Sequence, residues 1–283
     1  MIASMNTPAL KSTEPSAPIA PAPVQTLAVP AEPSPSPLAT GAQGATAAEA
    51  IACALAAPER TAEEAAAHPL ILVVHASVGS GHRSAANAIA EALEEAGEAA
   101  RAAGDDNSLE ARSEVRVLDI LDFGRIVFDG DKTASMFTGW TRPFYDLTWR
   151  YTLTGRLLWG GGTIWARLMY PKFTEYVRRL RPAAIVATHI TAANVAVSAR
   201  MITGQSFPIV CVPTDYEAEG LWPHLHTDLF CVANESMAET LRPRRVPEDR
   251  ILITGIPASP AFSRTQPLST TSTMARSGPS RPR

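Results

Sequence analysis

The chain has 283 residues, 25 basic against 28 acidic for a net charge of −3, and 46% of them are hydrophobic. That is length for one or two domains and apolar mass for a real core, while the near-neutral balance sets nucleic-acid binding aside. The three cysteines, Cys53, Cys211 and Cys231, are an odd number without metal-ligand spacing, so neither a disulfide framework nor a zinc site is expected and a reducing cytoplasm is.

Residues 1–67 are rich in Pro, Ala, Ser and Thr, as in PSAPIAPAPVQ and AEPSPSP. Such a segment buries too little apolar surface to offset its ordering entropy and is expected to be disordered, with the alanine-rich part near 46–67 able to form a frayed helix. It has no continuous apolar stretch of the secretory type, and nowhere does the chain reach the roughly 18 uncharged apolar residues of a spanning helix. At residue 69 the composition changes. PLILVVHAS reads as a strand buried on both faces, VGSGHRS as a glycine turn, and SAANAIAEALEEAG as a helix with Ala88, Ile89, Ala92 and Leu93 on one side. Residues 98–113 read as a loop. Further strands are expected at 115–121, 182–189, 207–214, 228–233 and 250–255, with helices opening at TAANVAVSARM and at NESMAETLR behind an Asn234 cap. Strands alternating with helices predict an α/β domain, a Rossmann-like doubly wound parallel sheet over 68–262. Residues 263–283 have no periodicity and are expected to be a disordered tail.

Gly79, Ser80 and Gly81 lie between the first strand and its helix, where ligands of doubly wound sheets bind and helix N-termini favour anionic groups. A P-loop has no match here. A dinucleotide fingerprint nearly fits, but Ser84 replaces its third glycine, and the candidate carboxylate Asp119 lies 40 residues after Gly79 instead of about 20. His82 follows the turn directly, and an imidazole, titrating at about 6.5 in water, suits proton abstraction from an alcohol. A histidine that merely caps its own helix is the competing reading.

Two further clusters stand out. Residues 137–176 hold 11 of the 18 aromatics, including Trp140, Trp149, Trp159 and Trp165, and residues 142–181 carry eight basic against two acidic side chains. Interfacial aromatics beside arginines suit a membrane surface, and packing beneath the sheet is the alternative. PTDYEAEGLWPH (213–224) follows the fourth strand, and its Asp215 is placed to orient His82 or His189 as a carboxylate orients a catalytic imidazole. Asp129-Gly130-Asp131 reads as a turn.

Together HASVGSGHRSAANAI, FYDLTWRYT, PTDYEAEGLWPH, LFCVANE and ILITGIPASPAF, in this order and spacing, resemble the monogalactosyldiacylglycerol synthase and processive diacylglycerol glucosyltransferase family over about residues 69–263. The resemblance implies the N-terminal, acceptor-side half of a GT-B glycosyltransferase that transfers a hexose from a UDP-sugar to diacylglycerol. His82 would be its base, with Asp215 beside it, and Gly79, Ser80, Gly81, His189, Thr214 and Trp222 would line the cleft. Trp140, Arg142, Trp149, Arg150, Arg156 and Trp159 would dock on the membrane. The resemblance implies no cofactor and no metal in this half, a UDP-sugar as donor substrate, diacylglycerol and anionic lipids as partners, and a cytoplasmic, peripheral-membrane location. After Phe262 no glycine-rich diphosphate turn or acidic pair for a donor sugar follows, so the chain alone is expected to be inactive, with a donor-domain partner chain possible. A non-catalytic membrane- or partner-binding module and a nucleotide-binding protein of another class are the alternatives.

Overall fold

A computed structural model describes residues 46–125, 164–215 and 222–260. The expectations for 1–45 and 263–283, and the docking set Trp140, Arg142, Trp149, Arg150, Arg156 and Trp159, lie outside the described residues. All six expected strands are present: β1 (Leu70–His75), β2 (Glu114–Asp119), β3 (Ala184–Ala187), β4 (Ile209–Cys211), β5 (Leu229–Val232) and β6 (Ile251–Ile253). They form one parallel sheet in the order β2-β1-β3-β4-β5-β6. The helices are α1 (Ala47–Ala56), α2 (Ala62–Ala67), α3 (Ser80–Ala102), α4 (Leu109–Arg112), α5 (Pro171–Leu180), α6 (Ile190–Thr203) and α7 (Glu235–Leu241), and residues 164–169 are also helical.

The period of two along β1 decides which helix covers which face. Leu70, Leu72 and Val74 pack with Phe173 and Val177 of α5, Ala192 and Val195 of α6, and Met237 and Leu241 of α7. Ile71 and Val73 point the other way, with Val186 and Val212, against Ala86, Ile89 and Leu93 of α3. Helices therefore cover both faces, which is why β1 is apolar at nearly every position. Beneath the first face Phe123 meets Phe173 and Tyr176 edge-on, both at 5.2 Å between ring centroids. Three of the eleven aromatics of the cluster that fits a membrane surface are therefore core: Tyr170, Phe173 and Tyr176 are buried.

Two expectations are corrected. Residues 47–56 and 62–67 are capped helices where at most a frayed helix is expected, because Thr46 with Glu49 and Thr61 with Glu64 each close a capping box, in which both side chains satisfy orphan N–H groups. The segment is then held against α5. Ile51 is buried, Arg60 bonds the Leu180 carbonyl at 3.2 Å, Arg179 bonds the Ala57 carbonyl at 2.7 Å, and Glu59 pairs with Arg178 and Arg181. Three arginines of the basic stretch are thus engaged within the protein, Arg178 and Arg179 also by Glu175, whose carboxyl they hold down at about 2. The second correction is at Gly97, which does not end α3. The helix runs on to Ala102, and Gly97 lets α4 approach where 98–113 reads as loop: a Cβ there would meet the Glu110 carbonyl oxygen at 2.8 Å.

Candidate active site

The order of the sheet reverses between β1 and β3, and at such a switch point the carboxyl ends of adjacent strands open a crevice. Three strand exits meet there. β1 leaves through Gly79, whose φ of +88° suits a residue without Cβ, into the first turn of α3. That turn carries no capping side chain and no acidic residue. β3 leaves through Thr188 and His189 into α6, and β4 leaves through Thr214.

His82, the third residue of α3, reaches across to the other two exits. Its Nδ1 lies 2.9 Å from the Thr188 carbonyl oxygen and 2.8 Å from Thr214 Oγ1. A carbonyl can only accept, so the proton sits on Nδ1. Thr188 Oγ1 in turn donates to the His82 carbonyl at 3.0 Å, locking α3 to the β3 exit in both directions. Nε2 is left as the unprotonated nitrogen, and none of the described residues bonds to it. A backbone carbonyl here does what a carboxylate does in a catalytic triad, fixing tautomer and ring orientation.

His189 is the N-cap of α6, and its ring meets that of His82 edge-on at 4.7 Å. Its Nδ1 accepts the Thr191 N–H at 3.1 Å, so a neutral ring carries its proton on Nε2. Burial, with the nearby His82 and His75 adding repulsion, pulls its pKa down to about 3. His75, at the end of β1, is 6% exposed with an Nδ1 that has no hydrogen-bond partner. Its pKa is also lowered, chiefly by burial, against the opposing pull of Asp119. Two of the three imidazoles are thus kept neutral.

The expected site residues separate on this geometry. Gly79, Ser80 and Gly81 form the exposed turn, and His82, His189 and Thr214 come together. Asp215 does not orient either imidazole. It is exposed and bonds to neither ring, because its neighbour Thr214 turns the hydroxyl inward and sends the carboxylate out. Trp222 does not line the cleft, being 2% exposed and packed against Phe230 at 6.2 Å beneath β5. Asp119 braces the main chain: its Oδ1 accepts the N–H groups of Ser77 and Leu121 at 3.3 and 3.0 Å. Thr188 and His75 are the residues that sequence reasoning passes over. Thr188 has one visible signal, a hydroxyl residue directly before a histidine at a strand's carboxyl end. Among the described residues no group of His, Cys, Asp and Glu side chains is gathered as a metal site requires.

The depressed histidines set a pH dependence. Unfolded, each ring takes up a proton below about 6.5, whereas folded His189 does so only near 3. Between those values the unfolded chain binds more protons, so stability falls as pH is lowered. Urea denaturation at pH 7, 6 and 5 is expected to show a loss of about 1 kcal/mol over the last unit for His189 alone, near the limit of 1.36 kcal/mol per proton. His189→Gln should flatten that slope. An unchanged slope in the variant would assign the acid sensitivity to other groups.

Comparison with known proteins bears on the same residues. A family model described as monogalactosyldiacylglycerol (MGDG) synthase matches residues 82–258, more than half of the chain. No curated protein matches. The structure is similar to the apo form of lipopolysaccharide outer core galactosyltransferase WaaB, at 13% identity and a TM-score of 0.34 over 65% of this chain. This chain spans 44% of the length of that one, and at that score the likeness adds nothing to the sheet order.

Proposed function

The chain belongs to the monogalactosyldiacylglycerol synthase family, and from that premise we propose that it is the acceptor-side half of a glycosyltransferase acting on diacylglycerol. The observation that carries the reading is the His82 imidazole, fixed with its proton on Nδ1 and its bare Nε2 at the switch point of the sheet. Nε2 takes the proton of the acceptor's primary hydroxyl as that oxygen bonds to the anomeric carbon of a UDP-hexose. The bond from the anomeric carbon to the β-phosphate oxygen breaks, and UDP leaves with the electron pair. The imidazolium that forms is held by two acceptors, the Thr188 carbonyl and Thr214 Oγ1. By the same reading the nucleotide sugar belongs to a donor-binding half.

A membrane-surface location agrees with this chemistry, because the acceptor is a lipid. Among the described residues no helix is long and apolar enough to cross a bilayer. Ile164, Trp165 and Leu168 are 63%, 40% and 53% exposed, an apolar patch next to the tryptophan- and arginine-rich stretch and of the kind that seats a protein at an interface.

The test is hexose transfer to dioctanoylglycerol in mixed micelles, with UDP-glucose and UDP-galactose each as donor. The unit of residues 46–260 by itself is expected to be silent. Joined to the donor-binding half of a full-length family member, it should transfer at a rate set by that half's own sugar preference. A joined protein that binds the nucleotide sugar, keeps its fold and still glycosylates no diacylglycerol would end the proposal.

A further inference from the structure

The pair of imidazoles at the switch point is asymmetric. His82 presents a bare Nε2 and His189 presents Nε2–H, each fixed by what holds its Nδ1: a carbonyl that only accepts in the first case, a main-chain N–H that only donates in the second. The rings meet edge-on at 4.7 Å. None of the described residues bonds to either Nε2. A base and a donor in fixed tautomers, one beside the other, match two oxygens of unlike character on one ligand: a hydroxyl that gives up its proton and a second oxygen that accepts one.

We infer that His189 is an acceptor-binding residue that selects 1,2-dioxygenated acceptors, its Nε2–H donating to the oxygen on the carbon next to the one bearing the attacking hydroxyl. This inference rests on the acceptor-side reading of the domain. In a diacylglycerol the second oxygen is the ester oxygen of the neighbouring carbon. Donation to the attacking oxygen itself would draw electron density from the nucleophile, so the neighbouring oxygen is the productive partner. The low basicity of His189 supports the assignment, because a ring that stays neutral keeps its donor without bringing a second positive charge beside the imidazolium formed at His82. His189 therefore binds the acceptor and does not serve as an alternative base.

The experiment uses the intact chain and needs no turnover. Two-bond ¹H–¹⁵N spectra of the histidines at pH 7.5 should show His82 as the Nδ1–H tautomer and His189 as the Nε2–H tautomer. Binding is then measured in mixed micelles for 1,2-dioctanoylglycerol and for 2-octyl-1-dodecanol, a two-chain primary alcohol with no neighbouring oxygen. The diacylglycerol should shift the ¹⁵N signals of both rings, the alcohol only those of His82. His189→Phe should weaken diacylglycerol binding about ten-fold, the scale of one lost neutral hydrogen bond, and leave alcohol binding unchanged. His189→Gln, which keeps both a donor and the cap to Thr191, should stay within about three-fold of the parent. If the diacylglycerol binds but His189→Phe and the parent do not differ, or if His189 proves to be the Nδ1–H tautomer, the inference fails and the acceptor reading stands. If neither lipid reaches the His82 signals, the acceptor reading fails and takes the inference with it.

Discussion

In the protein joined to a donor-binding half, replacing His82 by alanine is expected to lower kcat by about 10²–10⁴, the usual contribution of a positioned general base. The KM for diacylglycerol should change far less, because the proton is taken in the transition state and not in the ground state. The geometry adds a finer expectation. The ring is oriented by a backbone carbonyl that mutation cannot remove, and Thr214 Oγ1 shares Nδ1 from the other side. Thr214→Val should therefore cost much less than His82→Ala, on the order of one hydrogen bond to a charged group, about ten-fold in kcat. Asp215→Asn should leave kcat near the parent value, since that carboxylate is exposed and bonds to neither imidazole. Steady-state kinetics on the three variants decide the matter. A His82→Ala enzyme of full activity would make the histidine a clasp between α3 and β3, and a large loss in Asp215→Asn would return the carboxylate to the mechanism.

The second large effect is on stability. Phe173→Ala is expected to cost about 3–5 kcal/mol, the range for deleting a fully buried phenyl ring. Phe173 is 0% exposed, meets Phe123 edge-on, and shares one apolar cluster with β1, β3, α6 and α7. Because the surrounding sheet cannot collapse into the space, transfer and cavity costs add. Against a total of about 5–15 kcal/mol for a typical domain, that is a large share. The denaturant midpoint should fall with the slope unchanged, because the same surface is exposed on unfolding. A loss below about 1 kcal/mol would mean that α5 repacks around the gap.

What was legible in the amino acids follows from how local each signal is. The central strands β1 and β3 were, because a parallel strand covered on both faces must be apolar along its whole length, and PLILVVH and AAIVA can be little else. The glycine turn and His82 were too, since their meaning depends only on standing between a strand and a helix. The rest depends on partners distant in the chain. Thr46 and Thr61 announce helix starts, yet alanines do not say what they pack against, and the answer is an arginine-rich helix end more than 100 residues away. Gly97 resembles a helix stop unless α4 is known to lie on it. Asp215 and Trp222 carry the more suggestive side chains, yet Thr188 and Thr214, ordinary in sequence, hold the ring. That distinction rests on which way a loop turns at a strand's end, and no periodicity records it.

The family match opens at His82, while β1 ends at His75. β1 is the strand to which β2 and β3 both pair, through residues 70–75 on one side and 71–74 on the other. Cut at the first matched residue, the protein would lose that shared neighbour, and β2 and β3 would face each other across two strand spacings, about 10 Å. β1 therefore belongs to the unit that folds, although the match opens seven residues after it. Any exchange of this half at the bench has to carry β1, because the turn that follows that strand is what positions His82.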